Sequence, residues 1–286
     1  MEVLNGKDLS AKLLDELKGS VNSYKQTPIL SAITIGNNPA SMVYVNNMKL
    51  SCEYVGMSFL HIAFDEETPE EKVIKKIKEL NKDKSINGII LLLPVPRKYN
   101  TDKLINAIDP SKDVDGLTTV SNGKMVTNEF GFIPCTPKGV LEIFDHYKID
   151  IEGKNVVVVG KGRAVGLPMA IECMKRDATV IVCHSKTKDL THFTKQADVL
   201  IVAVGKKWLI NKDMIKKDAV IIDVGINSEN GNIYGDVNPD VDELCSARTL
   251  VPDGTGPVTV ATLLKNTFTS YKEMNGIKDE EWSYRK

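Results

Sequence analysis

Short apolar runs alternate with charged stretches of helical period along most of the chain. Residues 29–35 read as a strand, 41–55 as a helix and 57–63 as a second strand. Within 69–80 the apolar positions Val73, Ile74, Ile77 and Leu80 have the spacing of one helix face. Residues 88–93 are apolar almost throughout, which predicts a strand covered on both sides. The rhythm returns at 156–159, 179–183, 199–204 and 219–224, four β-branched runs separated by helix-length segments. Alternation of this kind predicts an α/β fold with parallel sheets and helices on both faces. Residues 117–127 show no strong period, and further helices are expected over 138–147 and 259–274.

A length of 286 residues fits two domains. The crossing between them falls in 109–137, which carries Pro110, Gly116, Gly123, Gly131, Pro134 and Pro137. A terminal helix behind a Rossmann-like unit often packs back on the first domain. The expected division is therefore 1–118 with 258–286 as one domain and 119–257 as the other. The tail, 278–286, is expected to fray.

Composition adds mainly exclusions. Apolar residues at 42% and charged residues at 26% are ordinary for a globular protein, and 37 basic against 38 acidic side chains leave a net charge of −1. Disorder and non-specific nucleic-acid binding both need a different balance. No apolar run approaches a membrane span; Ile89-Ile90-Leu91-Leu92-Leu93 stops at Pro94. The start, Met1-Glu2-Val3-Leu4-Asn5-Gly6-Lys7, has no signal-peptide core, so a cytoplasmic location is expected. Five widely spaced cysteines without a C-x-x-C pair predict reduced, buried thiols and no metal site.

One stretch carries recognisable chemistry. Val156-Val157-Val158-Val159-Gly160-Lys161-Gly162-Arg163-Ala164-Val165-Gly166 is a strand running into a glycine-rich turn and then a helix. Glycines let the backbone approach a pyrophosphate, and the free N–H groups of the helix start bind phosphate. The spacing is G-x-G-x-x-x-G, only an approximation to the dinucleotide fingerprint, and a purely structural turn is the competing reading. An NAD site would place an acid after the next strand; here His184-Ser185-Lys186-Thr187 stands there. Lys161, Ser185 and Lys186 suit a 2′-phosphate, which favours NADP, unless both lysines are merely solvated.

Taken together, the motifs resemble the methylenetetrahydrofolate dehydrogenase/methenyltetrahydrofolate cyclohydrolase family of the FolD type. The stretches that carry the likeness are Gly36-Asn37-Asn38-Pro39-Ala40-Ser41 with Tyr44, Lys112-Asp113-Val114-Asp115-Gly116, and Pro134-Cys135-Thr136-Pro137. His184-Ser185-Lys186-Thr187, Asp223-Val224-Gly225-Ile226-Asn227 and Gly235-Asp236-Val237 continue it in the family's order. The resemblance implies an N-terminal α/β folate-binding domain, a C-terminal NADP-binding Rossmann domain, a cleft between them and a homodimer. It implies catalytic roles for Tyr44, stacked on the folate, and Asp115, on the pterin's hydrogen-bonding edge. Gly160, Lys161, Gly162 and Ser185 would hold the cofactor's phosphates, with Ile226 beside the cofactor. Lys161 stands at a usual Arg and Gly162 at a common Ser.

The chain also departs from that family. The family's catalytic lysine, four residues after the tyrosine, is Met48 here, and the glutamine that normally bonds it is Leu92. Lys49 lies one position on, about 140° round the helix from Tyr44, and enters the site only through a π-type bulge. Losing both polar partners avoids the roughly 1–3 kcal/mol of leaving one buried and unpaired. Asp253 stands at a usual glycine, and Leu117-Thr118-Thr119 replaces an aromatic-His-Pro. The expected activity is an NADP-dependent methylenetetrahydrofolate dehydrogenase with the cyclohydrolase half weak or lost. The alternatives are a non-catalytic NADP- and folate-binding paralogue, or a dehydrogenase for another small molecule.

Overall fold

The structure, a computed structural model, describes residues 1–277 of the chain; the tail expected to fray, 278–286, lies outside the described residues. In chain order the first half runs β1 (Glu2–Leu4), α1 (Gly6–Val21), β2 (Ile29–Ile35), α2 (Pro39–Val55) and β3 (Ser58–Phe64). It continues with α3 (Glu70–Lys82), β4 (Gly88–Leu91), α4 (Thr101–Ile105) and α5 (Thr119–Thr127). The second half opens with α6 (Cys135–His146), β5 (Asn155–Val159), α7 (Gly166–Met174), β6 (Thr179–Cys183) and α8 (Leu190–Thr194). Then come β7 (Val199–Val202), β8 (Val220–Asp223), the hairpin β9 (Asn227–Glu229) and β10 (Asn232–Tyr234), β11 (Ala247–Thr249) and α9 (Thr255–Met274). The fold is α/β with parallel sheets. No helix among the described residues is long and apolar enough to cross a membrane.

One unit comprises Met1–Ala11 and Thr136–Thr259. Its sheet has the order β1-β11-β8-β7-β5-β6, every neighbouring pair parallel. Val157, Val159, Leu200, Val202 and Ile221 fill one core, which explains the unbroken apolar runs of the central strands. The chain order reverses at β5, with β6 on one side and β7 on the other. In open parallel sheets the carboxyl ends of the strands beside such a reversal form the ligand crevice.

The other unit comprises Lys12–Cys135 and the chain from Val260 on. Its parallel sheet has the order β3-β2-β4, with β2 and β3 in register from Ile29↔Ser58 to Ile35↔Phe64. Leu30 and Ala32 share a core with Val45, Met48 and Cys52 of α2 and with Leu263, Leu264 and Phe268 of α9. Packing is close enough that a Cβ on Gly88 would stand 2.8 Å from Thr267 Oγ1 and 2.9 Å from a Val114 methyl.

This division differs from the expected one at two places. Residues 1–11 belong with the six-stranded sheet because β1 pairs with β11, from Glu2↔Ala247 to Leu4↔Thr249. Residues 119–135 belong with the three-stranded unit because the buried Asp113 carboxylate gathers the start of α5. It accepts from Leu117 N (3.2 Å), Thr118 N (2.8 Å) and Ser121 Oγ (2.6 Å). The stretch without a strong period is thus a helix fixed by its polar start, where Thr118 Oγ1 also accepts from Ser121 N. Helix α1, not among the expected elements, buries Leu9, Leu13, Leu17 and Val21 at four-residue spacing.

Lys112 is buried, and its ammonium donates to the carbonyl oxygens of Leu80 (3.0 Å) and Asp83 (2.6 Å) at the end of α3. Burial holds its pKa below the usual lysine value. Lys112→Met removes the charged donor from both carbonyls, leaving them only the backbone N–H groups of Asp83 and Ile86, and is expected to remove about 1–3 kcal/mol of stability in urea unfolding. Unchanged unfolding would contradict the capping role.

Candidate functional site

The three-stranded unit carries the first cluster. Gly36 turns out of β2 at φ +77°, a conformation glycine adopts without steric cost. Asn38 then caps α2, its side chain accepting from Ala40 N (2.9 Å) and Ser41 N (3.3 Å), and Pro39 fits the first helical turn. These local demands account for the Gly-Asn-Asn-Pro-Ala-Ser stretch, and they set the rotation of α2. Val45, Met48, Cys52 and Val55 face the core, with Tyr44 half-buried at its margin.

Met48 is fully buried and Leu92 nearly so, in the same apolar cluster that Tyr44 packs against. Helix α2 is α-helical throughout, without a π-type turn. Lys49 lies on its outer face, its ammonium 3.9 Å from the Glu53 carboxylate. No ammonium therefore enters the cluster from this helix.

Asp115 reaches the cluster through Gly116, which holds φ +67°. A Cβ there would stand 2.6 Å from Phe132 O and 2.8 Å from Pro134 N, so only glycine lets the 132–135 segment close in. That approach brings Cys135 against Asp115. The thiol donates to Val114 O (3.1 Å), which also accepts from Asn266 Nδ2 (2.8 Å), while Thr262 Oγ1 donates to Cys135 O (3.0 Å). Burial, then the neighbouring Asp113 charge, pushes the Asp115 carboxyl up to about 7; hydrogen bonds from the Cys135 thiol and backbone pull the other way. Burial and the nearby Asp115 push the Tyr44 phenol well above its usual value. The structure thus brings the two expected catalytic residues into one electrostatic neighbourhood. It adds Cys135, which the Pro-Cys-Thr-Pro stretch contains, and Thr262 and Asn266 of α9, which no motif pointed to.

The six-stranded unit carries the second cluster, at the carboxyl ends of β5 and β7. Gly160 has φ +123°, and a Cβ there would stand 2.3 Å from Ala203 O. A Cβ on Gly166 would stand 2.1 Å from Gly160 O. Two of the glycines in the turn are therefore demanded by close backbone approach. Gly162 differs: nothing lies within 4 Å of its Cβ position, so the space there is open. Helix α7 begins at Gly166 without a side-chain cap, leaving its N-terminus to an anion.

After β6 the His184–Thr187 turn closes on itself: His184 N donates to Thr187 Oγ1 (2.9 Å) and Lys186 N to His184 Nδ1 (3.2 Å). Ser185 and Lys186 are left exposed beside a cavity of about 470 Å³ that Lys186 and His184 help to line. Lys161 and Lys186 have no ion-pair partner among the described residues. Ile226 follows β8 and is 61% exposed. Backbone glycines, an uncapped helix start and unpaired cations suit a nucleotide carrying several phosphates.

Comparison with known proteins gives the family of both parts of the chain. Residues 4–115 match the family described as tetrahydrofolate dehydrogenase/cyclohydrolase, catalytic domain. Residues 134–275 match tetrahydrofolate dehydrogenase/cyclohydrolase, NAD(P)-binding domain. The chain is 47% identical over 276 residues to the bifunctional protein FolD of Agathobacter rectalis, covering 94% of this chain and 99% of that one. Among solved structures it is similar to the bifunctional FolD enzyme of Campylobacter jejuni, with TM-score 0.92, 42% identity, and 96% and 99% of the two chains covered. It is also similar to the Trypanosoma brucei FolD complexed with NADP cofactor and inhibitor. There the TM-score is 0.91 at 32% identity, with 95% and 97% of the two chains covered.

The raised Asp115 pKa has a thermodynamic signature. The folded carboxyl, near 7, holds a proton more tightly than the unfolded one, whose ordinary value is 3.8. Its contribution to stability is full below the unfolded pKa and is lost as pH rises through about 7. Wild-type protein is therefore expected to gain stability relative to Asp115→Asn as pH falls from 8 to about 5. Parallel unfolding curves at all pH values would show that Asp115 is not held in this way.

Proposed function

The chain belongs to the tetrahydrofolate dehydrogenase/cyclohydrolase family, and from that premise we propose an NADP-dependent 5,10-methylenetetrahydrofolate dehydrogenase whose methenyltetrahydrofolate cyclohydrolase half is weak or lost. The observation that carries this division is the apolar pair Met48 and Leu92, buried where the family's lysine and glutamine stand.

The two reactions make different demands. Oxidising the methylene carbon removes a hydride, and the flanking nitrogens stabilise the cation that forms. No proton need leave in that step, so positioning carries most of the rate. Tyr44 offers a flat face for the folate's ring system. The Asp115 carboxylate accepts hydrogen bonds from the pterin edge, and the apolar wall of Met48 and Leu92 excludes water. Hydrolysis of the methenyl cation needs water and a poised base. Among residues facing this wall from α2, none supplies one.

The cofactor belongs to the residues of the six-stranded unit. Gly160, Gly162 and the start of α7 would hold its phosphates, with Lys161, Ser185 and Lys186 on a 2′-phosphate and Ile226 against the nicotinamide. When bound, the nicotinamide supplies the hydride acceptor. The folate-binding part accordingly lies in Lys12–Cys135 with the chain from Val260 on, and the cofactor-binding part in Met1–Ala11 with Thr136–Thr259.

A homodimer is supported by Leu167, Ile171 and Met174, an apolar line along α7 of which Leu167 and Met174 are more than half exposed. It runs beside β6, whose outer edge is unpaired within the described residues. Five free, buried cysteines suit a reducing cytoplasm, and the near-zero net charge gives no reason to expect a nucleic-acid partner. A second reading rests on Asp253, whose exposed carboxylate has no partner among the described residues and suits a substrate bearing a cationic group.

Addition of 5,10-methylenetetrahydrofolate is expected to reduce NADP, followed by nicotinamide absorbance. Cofactor binding without reduction would favour a non-catalytic role, and reduction only by other amine-bearing substrates would favour the reading from Asp253. Methenyltetrahydrofolate hydrolysis should be slower than is normal for the family by about 10²–10⁴-fold, the usual contribution of a general base. Met48→Lys combined with Leu92→Gln should raise it; a family-normal rate in the wild type sinks the proposal. Lys161→Ala with Lys186→Ala should lose about tenfold in NADP affinity and little for NAD. Equal losses for both cofactors would remove the 2′-phosphate assignment.

A further inference from the structure

Asp223 and Asp236 are both buried, and both are saturated with hydrogen bonds from the backbone. Asp223 Oδ1 accepts from Gly225 N and Asp236 N (3.0 Å each), and Oδ2 accepts from Val237 N (3.0 Å). Asp236 Oδ2 accepts from Val204 N (2.7 Å) and Gly205 N (2.9 Å). Its Oδ1 accepts from Lys206 N (2.7 Å) and Asn227 Nδ2 (2.9 Å). Two glycines make room for this clasp. A Cβ on Gly235 would stand 1.8 Å from Asp223 Oδ2, and one on Gly225 2.1 Å from the Asp236 carboxyl carbon.

What the clasp holds is more informative than what it is made of. One carboxylate ties the loop after β7 to the loop after β8. Each loop presents an exposed apolar side chain, Val204 at 39% and Ile226 at 61% exposure. Val204 begins the tethered backbone, and Ile226 sits between Gly225, packed on the carboxylate, and Asn227, bonded to it. Val204 also adjoins the glycine turn, its Cγ1 standing 3.4 Å from a Cβ position at Gly160. Exposed aliphatic side chains at the carboxyl ends of adjacent strands have little reason to be held this firmly unless a ring packs on them.

We propose that Asp236 is a positioning residue for the cofactor's nicotinamide end: through one carboxylate it holds Val204 and Ile226 as two apolar walls for the ring, apart from the phosphate contacts of the 160–166 turn. The inference rests on the cofactor assignment above and deepens it. Asp236 touches neither cofactor nor substrate in this role. Asp223 supports it from behind by fixing Asp236 N and Val237 N.

Asp236→Asn keeps the shape and replaces one acceptor oxygen with an amide, so either the Val204–Gly205 N–H pair or the Lys206 side of the clasp loses its partner. Binding is measured by calorimetry with NADP and with adenosine 2′,5′-bisphosphate, which has the 2′-phosphate but no nicotinamide. The expected result is about tenfold weaker NADP binding with adenosine 2′,5′-bisphosphate within twofold of wild type. The KM for NADP should rise in parallel while the KM for the folate stays unchanged. Equal weakening of both nucleotides would mean that the clasp is only structural, and no change in either would mean that it positions nothing. Should Asp236→Asn fail to fold, Asn227→Ala removes a single donor and should show the same selective effect at smaller size. Wild-type protein that binds the bisphosphate and NADP but never reduces NADP with methylenetetrahydrofolate overturns the functional reading and leaves the binding comparison standing.

Discussion

A carboxylate taken out of water must find its hydrogen-bond donors inside the protein, and the acids of this chain divide by whether they do. Asp223 and Asp236 are met by backbone N–H groups from loops distant in sequence, and Asp113 by the N–H groups that lead into α5. They gather α5, the β8 loop and the β7 loop, so removing their charge would loosen three connections at once. Asp115 is different. It lies beside Asp113 and Tyr44 with Cys135 as its donor, and burial pushes its carboxyl up to about 7, against about 6 for Asp223 with its three backbone donors. Structural acids are those whose donors are supplied; the acid left under-supplied is the one available to a ligand.

The same contrast explains the glycines. Those at 116, 160, 166, 225 and 235 each mark a place where a Cβ would strike backbone or a carboxylate. In every case the missing side chain allows a polar group to reach its partner or a chain segment to reach a site. Sequence motifs that look like a catalogue of binding residues are in large part the hardware that brings a few binding residues together. In Lys112-Asp113-Val114-Asp115-Gly116, Lys112 caps a helix, Asp113 anchors another, Gly116 admits the 132–135 segment, and Asp115 alone faces the cluster.

Much of the fold was legible because parallel strands buried on both faces read as unbroken apolar runs, and β2 falls where the pattern places it; the edge strand β6 does so too, through its β-branched run. The strands β1 and β11 were not legible: each has three residues, too few to show a period, and their pairing links positions more than 200 residues apart in sequence. That pairing is what moves the domain boundary. Helix α5 was hidden for another reason, since its start is fixed by hydroxyl and carboxylate contacts and not by an apolar face. Of the candidate site, Tyr44, Asp115 and the glycine turn could be found from motif and resemblance. The Asp236 clasp could not, because its partners come from three loops and nothing in their spacing announces a shared carboxylate.

The buried pair Met48 and Leu92 has a consequence for the history open to this chain. Restoring lysine alone would set an ammonium against a leucine in an apolar core, and restoring glutamine alone would bury an amide without a partner. Each single step back is penalised, and only the two together regain a satisfied pair. The half-changed pair is penalised in either direction, so once both positions are apolar, packing itself defends the change, and selection for hydrolysis must take both steps together or find its answer in another residue or another protein.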